Sequence, residues 1–116
     1  MGLLTGGDRS ALPALYSQEE KGAQALARLK FFTPDGAATW YATEFDGEDT
    51  FFGYADLGMG FPELGYFSLR ELETTRGGLG LEVEKDRHYT PETLEAIKAR
   101  HEGAVNRAYA EPSDGA

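Results

Sequence analysis

Asp46-Gly47-Glu48-Asp49 places three carboxylates in four consecutive positions, and carboxylate oxygens are the ligands that calcium and magnesium prefer. With His88 as a base, such a cluster could serve a small metal-assisted hydrolase. The run lacks the loop length and closing glutamate of an EF-hand, however, and acidic residues around a glycine also make a hairpin turn. His88 lies in Glu84-Lys85-Asp86-Arg87-His88-Tyr89, where a carboxylate would orient an imidazole for acid or base work. No serine sits in an elbow motif to act as its nucleophile. His101 falls on the apolar stripe of a helix, which suits a hydrogen-bonded packing histidine. Gly77-Gly78-Leu79-Gly80 faintly resembles a phosphate loop. It follows a helix instead of linking a strand to a helix N-terminus, and no Lys-Ser or Lys-Thr pair follows, so a helix stop and turn accounts for it. No spacing among the acids selects a pair for hydrolysis. These residues select no catalytic group, metal ligand or cofactor, and a non-enzymatic protein is expected.

The distribution of charge and aromatic rings is more informative. Between Phe31 and Leu69 there is no lysine or arginine, whereas Asp35, Glu44, Asp46, Glu48, Asp49, Asp56 and Glu63 supply seven acids, and 11 of the 14 aromatic residues lie there. On a strand, Trp40, Ala42 and Glu44 point one way and Tyr41, Thr43 and Phe45 the other; on the next, Phe51, Gly53 and Ala55 oppose Phe52, Tyr54 and Asp56. Both faces therefore carry rings. If helices cover one face only, the expected interaction surface comprises Trp40, Tyr41, Phe51, Phe52 and Tyr54, rimmed by Glu44, Asp46, Glu48, Asp49, Asp56 and Glu63. If helices cover both faces, or the rings pair across strands, that surface is lost. Rings on a sheet can stack nucleobases, giving a single-strand binder through Trp40, Tyr41, Phe51 and Phe52, but that mode normally has lysine and arginine beside the rings. An acidic rim points instead to a protein partner with a basic surface, and to an inhibitor or nucleic-acid mimic as the sharper form.

The elements that must position these residues are legible from turn and cap signals. Thr5 with Asp8 and Ser17 with Glu20 have capping-box spacing, which predicts short N-terminal helical turns, with Leu12, Leu15 and Tyr16 turned to the core. Arg28 and Lys30 alternate with Ala27, Leu29 and Phe31, predicting a first strand from Ala25, although a helix over 18–30 competes. Thr33-Pro34-Asp35-Gly36 is a turn. Strands are expected over Ala38–Phe45 and Thr50–Asp56, joined as a hairpin, and a fourth over Glu63–Phe67. Ser68 with Glu71 caps a helix over 69–76, stopped by Gly77-Gly78. Leu81 and Val83 alternate with Glu82 and Glu84 and suggest an edge strand or an extended segment. Thr90-Pro91-Glu92 opens a last helix carrying Leu94, Ile97, His101, Ala104, Val105 and Ala108, fraying after Gly103, with residues 111–116 as a flexible tail. The fold expected is α+β: an antiparallel sheet of about four strands in a meander, with a short N-terminal helical segment, a short helix after the fourth strand and a C-terminal helix.

A length of 116 residues supports one domain, expected over 1–110. No cysteine is present, which excludes disulfides and thiolate chemistry and fits a cytoplasmic location. No signal peptide or membrane span is expected. The net charge of −9 opposes direct binding to nucleic acid or anionic lipid. Oligomeric state is not readable from these features.

Several blocks in order resemble one known family. They are Leu3-Leu4-Thr5, Leu12-Pro13-Ala14-Leu15-Tyr16, Phe31-Phe32-Thr33-Pro34-Asp35, Thr39-Trp40-Tyr41-Ala42-Thr43-Glu44, Phe51-Phe52-Gly53-Tyr54, Glu63 through Leu69, Glu71-Leu72 and Arg76 through Asp86. Together they resemble the bacterial domain of unknown function 2958 over nearly residues 3 to 95. Gly6-Gly7 departs from the charged helix expected there. The resemblance implies a small single-domain protein of a kind often carried by plasmids, integrative elements and phages, with no established activity and no catalytic residues to transfer.

Overall fold

Period-two alternation through two β-rich runs sets up the centre of the molecule. The computed structural model describes residues 2–108 and the side chains of residues 2–102. In it β3 (Thr39–Phe45) and β4 (Thr50–Asp56) form the expected hairpin. On either side lie β2 (Leu29–Phe32) and β5 (Glu63–Ser68), completing the four-strand meander. A fifth strand, β6 (Glu84–Lys85), returns to the outer edge of β2, giving the order β5-β4-β3-β2-β6. All these pairings are antiparallel, and the architecture is α+β as the sequence predicts.

The first strand and the start of the last helix differ from expectation. The first strand is split: β1 (Leu26–Ala27) pairs with β7 (Glu92–Thr93), and the chain crosses to the main sheet at Arg28, whose amide donates to Ala42 O at 2.8 Å. Residues 92–93 are thus extended and α3 (Leu94–Ala108) begins later than Pro91. Thr93, not Thr90, caps it, its Oγ1 accepting the Ala96 amide at 3.2 Å. The helix continues past Gly103. Ala104, Val105 and Ala108 lie beyond the described side chains, and the expected tail lies outside the described residues. Among the described residues, no helix is long and apolar enough to cross a membrane.

At the N-terminus the Thr5 capping box forms as read. Thr5 Oγ1 accepts the Asp8 amide at 3.0 Å and Asp8 Oδ2 accepts the Thr5 amide at 2.9 Å, starting α1 (Gly6–Ala11). The Ser17 box does not form. Ser17 Oγ donates to Ala14 O instead, and the 3-10 turn Glu19–Gln24 starts with no side-chain cap. The short helix α2 (Leu69–Thr74) takes its expected cap from Ser68, whose Oγ accepts the Glu71 amide at 3.1 Å.

Both faces of the sheet are covered. On the first, α1, α2 and their flanks bury Leu4, Leu12, Leu69 and Leu72 over Phe31, Trp40, Phe45 and Phe51. Phe45 and Phe67 each stack on Phe51, at 4.6 and 5.1 Å between centroids, and such pairs contribute about 0.5–1.5 kcal/mol beyond area burial. On the second, α3 lays Leu94 and Ile97 over Tyr41, Tyr54, Ala25 and Ala27. Leu15 is half-buried, but Tyr16 turns outward rather than to the core.

A β-bulge decides which residue faces which side. Ala42 pairs with Gly53 and Glu44 with Phe52, leaving Thr43 as the extra residue. One inserted residue reverses the alternation beyond it. Phe45 consequently joins Trp40 in the first core, and Glu44 joins Tyr41 on the second face, opposite to unbroken alternation. The bulge brings the strands so close that a Cβ on Gly53 would lie 1.8 Å from Tyr41 O. Gly53→Ala should therefore lower stability by about 3 kcal/mol, read as a reduced urea midpoint with an unchanged m-value.

Candidate functional site

Five of the seven acids between Phe31 and Leu69 accept hydrogen bonds from backbone amides. Asp46 Oδ1 accepts those of Glu48, Asp49 and Thr50 at 2.8, 2.8 and 3.0 Å, closing the β3–β4 turn. Asp49 reaches the start of α2, accepting from the Arg70 amide and Ser68 Oγ, each at 2.8 Å. Asp56 Oδ1 accepts the Gly58 amide at 2.9 Å. Asp35 Oδ2 accepts the amides of Leu79 and Leu81 at 2.7 and 3.1 Å. Glu44, only 4% exposed, takes the amide of Tyr16 on Oε1 at 2.8 Å and that of Gln18 on Oε2 at 2.7 Å.

The Asp35 contacts explain Gly77. Gly77-Gly78-Leu79-Gly80 does cradle an anion, but the anion is the chain's own carboxylate: a Cβ on Gly77 would lie 1.6 Å from Asp35 Oδ1. The Glu44 contacts explain Tyr16, which holds a left-handed φ of 71° that costs a non-glycine residue roughly 1–2 kcal/mol. The two amides bound by Glu44 fix that turn.

The expected surface divides on these facts. Trp40, Tyr41, Glu44, Phe51 and Tyr54 are buried, Phe52, Asp49 and Asp56 half-buried, and Asp46, Glu48 and Glu63 exposed. The four buried rings are corrections to the sequence reading, because helices occupy both faces. A stacking platform of Trp40, Tyr41, Phe51 and Phe52 is likewise lost. The carboxylates of Asp46, Glu48 and Asp49 do not converge, and no group of three potential metal ligands occurs among the described residues. His88 is exposed, and its amide donates to Asp86 Oδ1 at 2.9 Å.

His101 has the hydrogen-bonded packing role expected of it. Its Nδ1 lies 2.7 Å from Asp56 Oδ2 and its Nε2 2.8 Å from the Tyr41 hydroxyl. An ionised Asp56 only accepts, so Nδ1 carries the hydrogen and, in a neutral imidazole, Nε2 accepts from Tyr41. Arg100 Nη2 also reaches the Tyr41 hydroxyl at 3.4 Å, while its guanidinium grips Glu92 at 2.6 and 3.0 Å. The Glu92 carboxyl is held below its usual range chiefly by that hydrogen bond from Arg100. By residue type this carboxylate–imidazole–hydroxyl chain resembles a catalytic relay. Its hydroxyl, however, is on a tyrosine 1% exposed beneath α3, so the chain ties helix to sheet.

The sequence reading missed a groove of about 290 Å³ on the second face. It lies where α3 stops covering the sheet, between Leu94 and Lys98 on one side and Tyr16 on the other, with Phe52, Leu64 and Tyr66 on the sheet. Tyr66 meets Phe52 edge-on at 5.1 Å and Tyr16 at 6.5 Å. The alternation of Leu64 and Tyr66 along β5 was visible in the sequence. The approach of Tyr16 was not, since Glu44 carries it there from a distant part of the chain.

These features define a small α+β domain on a five-stranded antiparallel sheet, with acidic loops and one aromatic groove. The chain belongs to the family described as Protein of unknown function (DUF2958), whose model matches residues 3–106. No curated protein and no solved structure matches it.

Two outcomes follow from the carboxylate contacts. Glu44→Ala should destabilise by on the order of 2 kcal/mol, because two part-buried amides lose their acceptors; Glu44→Gln, keeping one oxygen, should cost less in the same urea titration. The pKa of Asp46 is lowered by the amides of Glu48, Asp49 and Thr50, and that of Asp49 by the Arg70 amide and Ser68. For Asp35 burial works upward, but the amides of Leu81 and Leu79 outweigh it and the pKa is lowered. A depressed folded pKa gives stability present above the unfolded value of about 3.9 and lost as pH falls through the folded value. The stability gap between wild type and Asp46→Asn should therefore be full at neutral pH and shrink below about pH 4, measured by denaturation across pH.

Proposed function

We propose that this is a non-enzymatic, cytoplasmic accessory protein of a mobile genetic element that acts by binding a protein partner with a basic surface. The observation that carries the reading is how the seven acids are stabilised. Among the described residues, every ion pair made by a lysine or arginine involves an acid outside that window: Asp86, Glu82, Asp8 and Glu92. Of the seven, only Asp56 lies within ion-pair distance of a basic side chain among the described residues, His101. The others are stabilised mainly by amide dipoles or by solvent, with Arg70 adding an electrostatic contribution at Asp49, so most of their negative field is not neutralised by a direct ion pair with lysine or arginine.

Such a field suits a partner that normally engages phosphates, and the sharper form of the proposal is an inhibitor whose carboxylates occupy phosphate positions on a nucleic-acid-handling or defence protein. Glu48 and Glu63 are exposed and their carboxylates take no part in the internal hydrogen bonds described above, which makes them the acids to test without disturbing the fold. Affinity capture from host extract should recover a basic protein at low salt and less at moderate salt. The Glu48→Gln/Glu63→Gln variant should recover roughly threefold less. Recovery of no basic protein, or of one indifferent to both salt and the substitutions, would refute the reading.

A further inference from the structure

Edge strands are normally blunted by lysine, proline or a bulge. β5 has none of these: its residues are Glu-Leu-Gly-Tyr-Phe-Ser, with Glu63 the only charge, and its register against β4 is unbroken. It ends the main sheet, pairing only with β4 among the described residues. The loop leading into it exposes Leu57, Met59 and Phe61, the last at 81%. The aromatic groove begins beside this same strand, at Leu64 and Tyr66.

The polarity of the groove narrows what can occupy it. Glu19 and Glu44 line its Tyr16 end, and Lys98 on α3 is the single base among its lining residues. The Tyr66 hydroxyl is pushed to a higher pKa by the neighbouring Tyr16 hydroxyl, lost hydration and the charges of Glu19 and Glu44. A cation is favoured over the faces of such rings, and more so beside carboxylates. Lys98 confines that preference to the end formed by Tyr16 and Tyr66. A second copy of this chain fits poorly, since edge-to-edge pairing would bring two chains of net charge −9 together.

We propose that an extended basic segment of a partner protein adds as a strand to the free edge of β5, placing an arginine or lysine side chain in the groove beside the paired rings of Tyr16 and Tyr66. The mode joins main-chain hydrogen bonds along the edge to side-chain selection in the groove. It rests on the basic-partner reading above and makes it specific.

The test titrates the full chain with an octapeptide of alternating valine and arginine and with its valine–glutamate counterpart, following affinity by calorimetry and amide-exchange protection along β5. The arginine peptide should bind at least about tenfold more tightly than the glutamate peptide and protect β5 amides. Tyr66→Ala and Tyr16→Ala, both at exposed rings, should each weaken it about fivefold while leaving the urea midpoint near that of wild type, and Lys98→Glu should strengthen it. Equal binding of the two peptides, or of neither, overturns the inference. Arginine-peptide binding that survives both tyrosine substitutions but is lost in Glu48→Gln/Glu63→Gln overturns the groove while leaving the basic-partner reading standing. Dimerisation of the free chain through β5, seen by light scattering and abolished by Tyr66→Ala, overturns it in favour of a second copy.

Discussion

A carboxylate that accepts from backbone amides recurs at four of the points where this chain leaves regular structure. An amide removed from water without a partner costs about 1–3 kcal/mol, and one carboxylate can satisfy several such donors at once, as Asp46 does for three. Asp46 supplies the acceptor at the β3–β4 turn, Asp49 at the junction of β5 and α2, Asp35 in the glycine-rich loop and Glu44 at the crossing from the N-terminal turns to the second face. Three of these four contacts span more than twenty residues or join separate elements. They therefore fix tertiary relations as well as local turns. An acidic composition becomes compatible with close packing because the compensating positive ends are peptide dipoles rather than side chains.

The bulge at Thr43 couples this chemistry to the sheet. Reversing the alternation sends Phe45 into the first core and delivers Glu44 to the second face, where the amides of Tyr16 and Gln18 lie. An unbroken strand would bury the carboxylate among Phe51, Leu69 and Leu72 and leave the tyrosine turn without its acceptor. The hydroxyl of Thr43 donates to Phe52 O at 3.0 Å, satisfying one of the groups that the irregularity exposes.

Local signals carried much of the fold into the sequence. Pro34-Asp35-Gly36, the Thr5–Asp8 box and the Ser68–Glu71 cap each act within a few residues, and each element they bound was readable. What escaped depended on distance. The bulge leaves no mark except a glycine at 53, which alternation alone treats as a small strand residue. The pairing of Leu26 with Thr93 required two short extended pieces from opposite ends of the described chain, and no local pattern separates Thr90 from Thr93 as the helix cap. At the candidate site the acids were legible as a group, but their employment was not: a carboxylate beside a glycine turn looks the same whether it faces solvent or an amide forty residues away. The rings were misassigned for a related reason, since period two tells which residues share a face and not whether a helix arrives to cover it.

That late covering bears on how the chain folds as it is made. The first face can close once residues through Val83 have emerged, because among the described residues its core draws on none beyond Val83. The second face keeps Tyr41 and Tyr54 open until Leu94, Ile97 and His101 have been synthesised. Until then the nascent sheet has one finished side and one apolar, aromatic side, the condition in which emerging chains most readily engage chaperones or one another. The Asp56–His101–Tyr41 tie comes last in that order, because His101 follows Leu94 and Ile97 in the chain.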